Sequence, residues 1–176
     1  MQPEAKHNPT ILELPMISRI RRNHGLEHAT LHVLAKHLPH ARLAGHSDVG
    51  GFWILGDVPT ETLQVAVNEA IDRLRSGESQ LAVHPNCGTN YATAGTLAGL
   101  AGAIAMLGSG RRVREKINRL PFAIVLATIT LIISQPVGLI VQERVTTSGN
   151  PGALEITAIT HKAQGRLSAH RILTRG

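Results

Sequence analysis

The sequence predicts an α+β chain: a small N-terminal α-β-β-α-β domain, a two-helix transmembrane hairpin, and a short C-terminal β hairpin. Three observations carry that expectation. Apolar residues recur at helical spacing in two separate segments near the start. Short strand-like runs alternate with Gly-containing turns. Charge then vanishes from two long stretches, residues 79–110 and 120–142, which contain no Lys, Arg, Asp or Glu. The whole chain is 17% charged against a usual share of about 25%, so the shortage is concentrated in those stretches.

Residues 1–15 read as a leader ending at Pro15, with Glu4, Lys6 and Glu13 interrupting any apolar signal segment. The α+β domain is expected over 16–90. Its first helix runs from about Met16 to Leu38, because Ile17, Ile20, Leu31, Leu34 and Leu38 share a face and Pro39 cannot continue it. Ala41–His46 and Gly51–Asp57 read as strands around a turn at Ser47-Asp48-Val49-Gly50. A second helix follows from Thr60 to about Arg75, with Leu63, Val67, Ala70, Ile71 and Leu74 on one side and Gly77 ending it. Gln80–His84 is expected as a third strand. His84-Pro85-Asn86-Cys87-Gly88-Thr89-Asn90 is a loop.

Residues 91–143 form the expected apolar hairpin. Tyr91–Leu107 is rich in Gly and Ala, and Gly95 with Gly99 makes a GxxxG that permits close helix approach. That face suits a homo-oligomer or a larger membrane complex. Leu120–Gln142 is the stronger span, 23 residues without formal charge, and Pro136 is expected to kink it. The loop 109–119 between them holds Arg111, Arg112, Arg114, Lys116 and Arg119, a basic segment suited to anionic lipid. Residues 144–176 supply two strands, Leu154–His161 and Arg166–Leu173, which a helical hairpin would return to the N-terminal domain and its sheet.

The formal charge of +6 does not imply nucleic acid. Much of the excess sits in the 109–119 loop, and aromatic residues make up only 2%, too few for base-stacking platforms. With one cysteine, Cys87, no intrachain disulfide exists. The partner expected from these features is a lipid bilayer, crossed twice. Its sidedness is open: the basic loop points one way by the positive-inside rule, and the lack of an export segment before the first domain points the other.

The sharpest chemical feature is His24-Gly25-Leu26-Glu27-His28, an H-x-x-E-H on the first helix. Imidazoles four residues apart project from one helix face and can share Zn²⁺, and the carboxylate beside them can take a proton from a water that the ion activates. His24, Glu27 and His28 continue the apolar stripe, so they face inward, where ionisable groups need a partner or a metal. The bland alternative is a set of hydrogen-bonded core histidines, with Glu27 paired to Arg21 or Arg22. A third ligand is expected from His84 or Cys87 in the loop, in preference to Glu69 on the second helix. His32, His37, His40 and His46 read as a His-rich surface, and Asp48 or His46 as an orienting group at most.

The H-x-x-E-H resembles that of the inverzincin metallopeptidases, a likeness that implies His24 and His28 as ligands and Glu27 as base. Against it stand the short spacing to Glu69 and the small size of the chain. The stretch Asn23–Thr30, the Gly50-Gly51-Phe52 turn and the His84–Asn90 loop together resemble an uncharacterised bacterial family that pairs a small N-terminal domain with apolar helices. The resemblance spans roughly residues 17–145 and implies a layout, not a reaction. Three functions follow. The first is a membrane-anchored zinc-dependent hydrolase, with a peptidase as its leading form. The second is a non-catalytic membrane subunit or assembly factor whose histidines are structural or bind a metal or tetrapyrrole. The third is a soluble homo-oligomer that buries its apolar helices between subunits.

Overall fold

The structure is a computed structural model that describes residues 10–164 and 167–176. The first nine residues of the expected leader therefore lie outside the described residues. The chain divides into two compact units, one of residues 1–83 and 145–176, the other of residues 84–144.

In the first unit a 3₁₀ turn, Ile11–Glu13, leads into helix α1, Pro15–His37. Pro15 suits a first helical turn, where its missing N–H has no partner to lose. Leu38 closes the helix through its N–H to Leu34 O, just before Pro39. Strands β1 (Ala44–Asp48) and β2 (Gly51–Leu55) form the expected hairpin, and helix α2 spans Thr60–Arg75. Strands β3 (Glu155–Gln164) and β4 (Leu167–Arg175) form the C-terminal hairpin. All four strands join one antiparallel sheet in the order β1-β2-β4-β3. The α+β class holds, and the two ends of the chain share a sheet.

One side of that sheet faces α1 and α2. Phe52 and Ile54 of β2 and Ile172 of β4 are fully buried there against Leu26, Leu34, Leu63 and Val67. The alternation that sends these inward sends Trp53 and Arg171 outward. In α1 even the polar residues are enclosed. Asn23 donates to Asp48 O (2.8 Å) and accepts from Thr174 Oγ1 (2.7 Å), tying the helix to the β1–β2 turn and to β4. Mid-helix Gly25 has a packing reason: a Cβ there would overlap the backbone carbonyl of Ser148, on the segment that returns toward β3.

The expected strand at Gln80–His84 is not formed. Ser79–Ala82 is a 3₁₀ turn, and the carbonyls of Ala82 and Val83 accept imidazole hydrogen bonds from α1 where a strand would need a backbone ladder.

The second unit contains helices α3 (Gly88–Met106), α4 (Val113–Ile133) and α5 (Gln135–Val141). α3 and α4 pack antiparallel: Arg119 donates to Ala105 O (3.1 Å), and a Cβ on Gly102 would touch Ala127 at 3.8 Å. The expected single helix over 120–142 is divided. Pro136 has no N–H and crowds the carbonyl four residues back, so the chain turns at Ser134, whose hydroxyl donates to Leu131 O (2.8 Å). A π turn, Gln142–Thr146, follows α5. Among the described residues one helix, α4, is long and apolar enough to cross a membrane, where the sequence suggested two. The shift has a compositional cause. α3 falls short because Thr89, Asn90, Tyr91, Thr93 and Thr96 join its glycines, whereas the uncharged run from Leu120 to Ile133 carries α4 despite Arg114, Glu115, Lys116 and Arg119 at its start.

Candidate metal centre

Helix α1 places His24 and His28 one turn apart, and their ring centroids are 4.4 Å from each other. His24 Nδ1 lies 3.0 Å from Thr146 O, and His28 Nδ1 lies 2.8 Å from Ala82 O. A carbonyl only accepts, so each Nδ1 carries the proton. In the neutral ring the lone pair is then on Nε2, the arrangement that orients imidazoles toward a metal. His28 is buried and His24 half-buried. His32, the next turn, is held the other way, with Nε2 donating to Val83 O at 2.8 Å.

Glu27 is 4% exposed and turns toward β1, where it accepts from the Ser47 hydroxyl. Neither Arg21 nor Arg22 pairs with it among the described contacts. The room it occupies exists because position 45 is glycine: a Cβ there would run into the Glu27 carboxylate. Burial raises the Glu27 pKa above the ordinary carboxylate range, and the Ser47 hydrogen bond and nearby His24 and His46 only partly offset it. The two imidazoles and the acid thus share one helix, but the acid is aimed at the sheet.

Residues 19–159 match a family described as a domain of unknown function (DUF6391). The chain belongs to this family. A similar protein, an uncharacterised one from Picosynechococcus sp., is 47% identical over 98 residues, covering 50% of this chain and 48% of its own. The chain thus spans about half the length of the curated relative it matches. No solved structure matches it. The match to DUF6391 takes in the H-x-x-E-H helix, the first hairpin, the His84–Asn90 loop and all of α3–α5, so the expectation of an uncharacterised family holds.

The other expected ligands of this DUF6391 chain fare differently. Glu69 is engaged elsewhere in the first unit, with Arg73 (3.4 Å) and His37 (3.7 Å), half exposed. His84 and Cys87 lie in the second unit. His84 Nδ1 accepts from Asn86 N–H (3.2 Å), which puts the ring proton of the neutral form on Nε2 and leaves neither nitrogen presented as His24 and His28 present theirs. Cys87 is buried, at the N-cap of α3, with Thr89 N–H donating to its Sγ (3.4 Å). Gln142 pins this loop, accepting from His84 N–H (2.5 Å) and donating to His84 O (3.1 Å) and Asn90 Oδ1 (3.0 Å). Nothing in the H-x-x-E-H pattern points to Gln142; a polar residue closing an uncharged stretch is its one signal. A cavity of about 350 Å³ opens beside the loop, walled by Pro85, Asn86, Asn90, Tyr91, Leu131 and Leu139. Gly95 and Gly99 face open space, with nothing within 4 Å of an added Cβ.

Proposed function

We propose that this protein is a membrane-anchored, zinc-dependent hydrolase, with His24 and His28 as metal ligands and Glu27 as proton acceptor. One observation carries the reading: both rings spend their Nδ1 protons on backbone carbonyls, which directs two neutral lone pairs from one helix face. Cys87 is the third ligand we favour. It is buried, it caps a helix whose N-terminal dipole favours the thiolate that binds metal, and its rival His84 already uses Nδ1.

Zinc held there would supply a Lewis acid that brings a water's pKa toward about 7. Glu27 would take the proton as general base. To do so its carboxylate leaves the Ser47 hydroxyl, so Ser47 sets how readily the base is released. The cavity by the Cys87 loop is uncharged and lined by three carboxamides, a phenol and leucines, which suits a neutral amide-bearing segment such as a peptide. We place α4 across the bilayer with α3 as its antiparallel companion, the basic 109–119 segment at the headgroups, and the open Gly95/Gly99 face against a second copy.

A second reading has its own support. Glu27 seated on Ser47 under Gly45 is what a structural acid looks like, and it favours a non-catalytic membrane subunit that holds a metal without turnover. Elemental analysis of detergent-purified protein, paired with peptide-library hydrolysis, separates the two. Wild type is expected to carry zinc, His24→Ala and His28→Ala each to carry one equivalent less, and Glu27→Gln to keep the full complement with hydrolysis abolished. Zinc-free wild type would end both metal readings. Metal without any Glu27-dependent hydrolysis would leave the second.

A further inference from the structure

A second pair of imidazoles lies on the sheet, away from the H-x-x-E-H helix. His161 of β3 and His170 of β4 are directly opposed in the antiparallel register, and their ring centroids are 4.6 Å apart. Each ring meets a hydroxyl through Nε2: His170 with Thr60 Oγ1 at 2.9 Å, His161 with Ser168 Oγ at 3.0 Å. Both Nδ1 atoms are then left. His170 is fully buried, and its Nδ1 has no hydrogen-bond partner among the described residues. A buried polar atom without a partner is uncommon and asks for a cause.

We propose that His161 and His170 bind an imidazole-preferring divalent cation, of the Zn²⁺, Ni²⁺ or Cu²⁺ class, through their two Nδ1 atoms. Three features support the assignment. The ring separation is short enough for two metal–nitrogen bonds of about 2.0–2.1 Å to meet at one ion. Thr60 and Ser168, accepting the Nε2 protons, do what outer partners of metal-bound histidines commonly do. His161 is exposed, so solvent completes the coordination. Burial, with a lesser contribution from His161, also lowers the His170 pKa, which keeps that ring neutral and its lone pair available. Residues 161 and 170 lie past the 19–159 stretch that matches the family, so the inference concerns this chain in particular.

Equilibrium dialysis of the full chain in detergent against Ni²⁺ alone, at pH 7.5, tests the site. His161→Ala is expected to bind one ion fewer than wild type with its urea midpoint unchanged, since that side chain is exposed. Ser168→Ala should keep the ion but weaken it about tenfold, the low end for loss of an outer partner. The same loss of one ion should recur in a His24→Ala background, which separates this site from the helix pair. His40→Ala, at an exposed histidine outside both pairs, should change nothing. Unchanged stoichiometry and affinity in His161→Ala would overturn the assignment, and so would an equal loss in His40→Ala.

Discussion

Helices α1 and α4 are nearly equal in length, and each is enclosed in the opposite way to what its composition invites. α1 buries Asn23, Glu27, His28 and Thr30 along with its apolar residues. α4, the apolar one, buries Ala123 and leaves Phe122, Ile124, Val125 and Ile132 more than half exposed. The polar helix can go inside because its groups have partners. Asn23 reaches Asp48 O, His28 reaches Ala82 O, and the Thr30 hydroxyl donates to Leu26 O at 2.8 Å. Buried polar groups are tolerated when hydrogen-bonded. The apolar helix has no such constraint, since its backbone satisfies itself, and an apolar exterior of that extent calls for lipid or a partner surface. Hydropathy alone therefore does not sort inside from outside here; hydrogen-bond closure does.

The two phenylalanines give the widest test of that contrast. Phe52 is fully buried and Phe122 is 57% exposed. Phe52→Ala is expected to destabilise the first unit by about 3–5 kcal/mol. Phe122→Ala should stay within about 0.5 kcal/mol. Urea unfolding in detergent reads both, and a large Phe122 effect would mean α4 is already packed against something permanent. Next in size comes Ile124→Arg. In a spanning helix a central arginine costs roughly 2.5–3.5 kcal/mol of insertion. Alkaline extraction of membranes should then release the variant and retain wild type. Equal retention of both would argue against α4 as a span.

Gly25→Ala sharpens the other side of the comparison. Alanine in a helix interior is ordinarily favoured over glycine by up to about 1 kcal/mol. Here the added methyl meets the Ser148 carbonyl, and overpacking of this kind costs about 1–3 kcal/mol. The expected outcome is a lower urea midpoint despite better propensity. A higher midpoint would show that the returning segment gives way.

Much of the architecture was legible because local rules agreed with it. α2 runs from Thr60 to Arg75, as its apolar face and Gly77 indicated, and the C-terminal hairpin joined the N-terminal sheet as expected. The failures share a cause. Leu81-Ala82-Val83 has a strand's composition, but its carbonyls are taken by His28 and His32, which no window of sequence reveals. The kink expected at Pro136 is instead a division between two helices. Within the candidate centre the His24–His28 adjacency followed from spacing alone. The turn of Glu27 toward Ser47 did not, because it depends on Gly45 leaving space on a strand eighteen residues away.

The smallest expected effect is a change in pH dependence, and it turns on two buried groups of the first unit with opposed signs. The folded pKa of Glu27 is raised above 4.5, so its contribution is fully present below that pH and is lost as pH rises through the folded value. The folded pKa of His170 is lowered from 6.5, so its contribution is present above 6.5 and is lost as pH falls below it. Asp48, held low chiefly by the Arg171 hydrogen bond, acts only below 3.8 and stays out of this window. Between pH 4.5 and 6.5 the two buried groups therefore oppose each other. Glu27→Gln keeps an acceptor for Ser47 and removes one titration. Its urea midpoint should rise from pH 4.5 to 6.5 on the His170 contribution alone, gaining on wild type as pH increases. Parallel curves for the two proteins would mean that Glu27 is already ionised in its seat. The carboxylate would then be held by the sheet as an anion, and its case as a releasable base would fall with it.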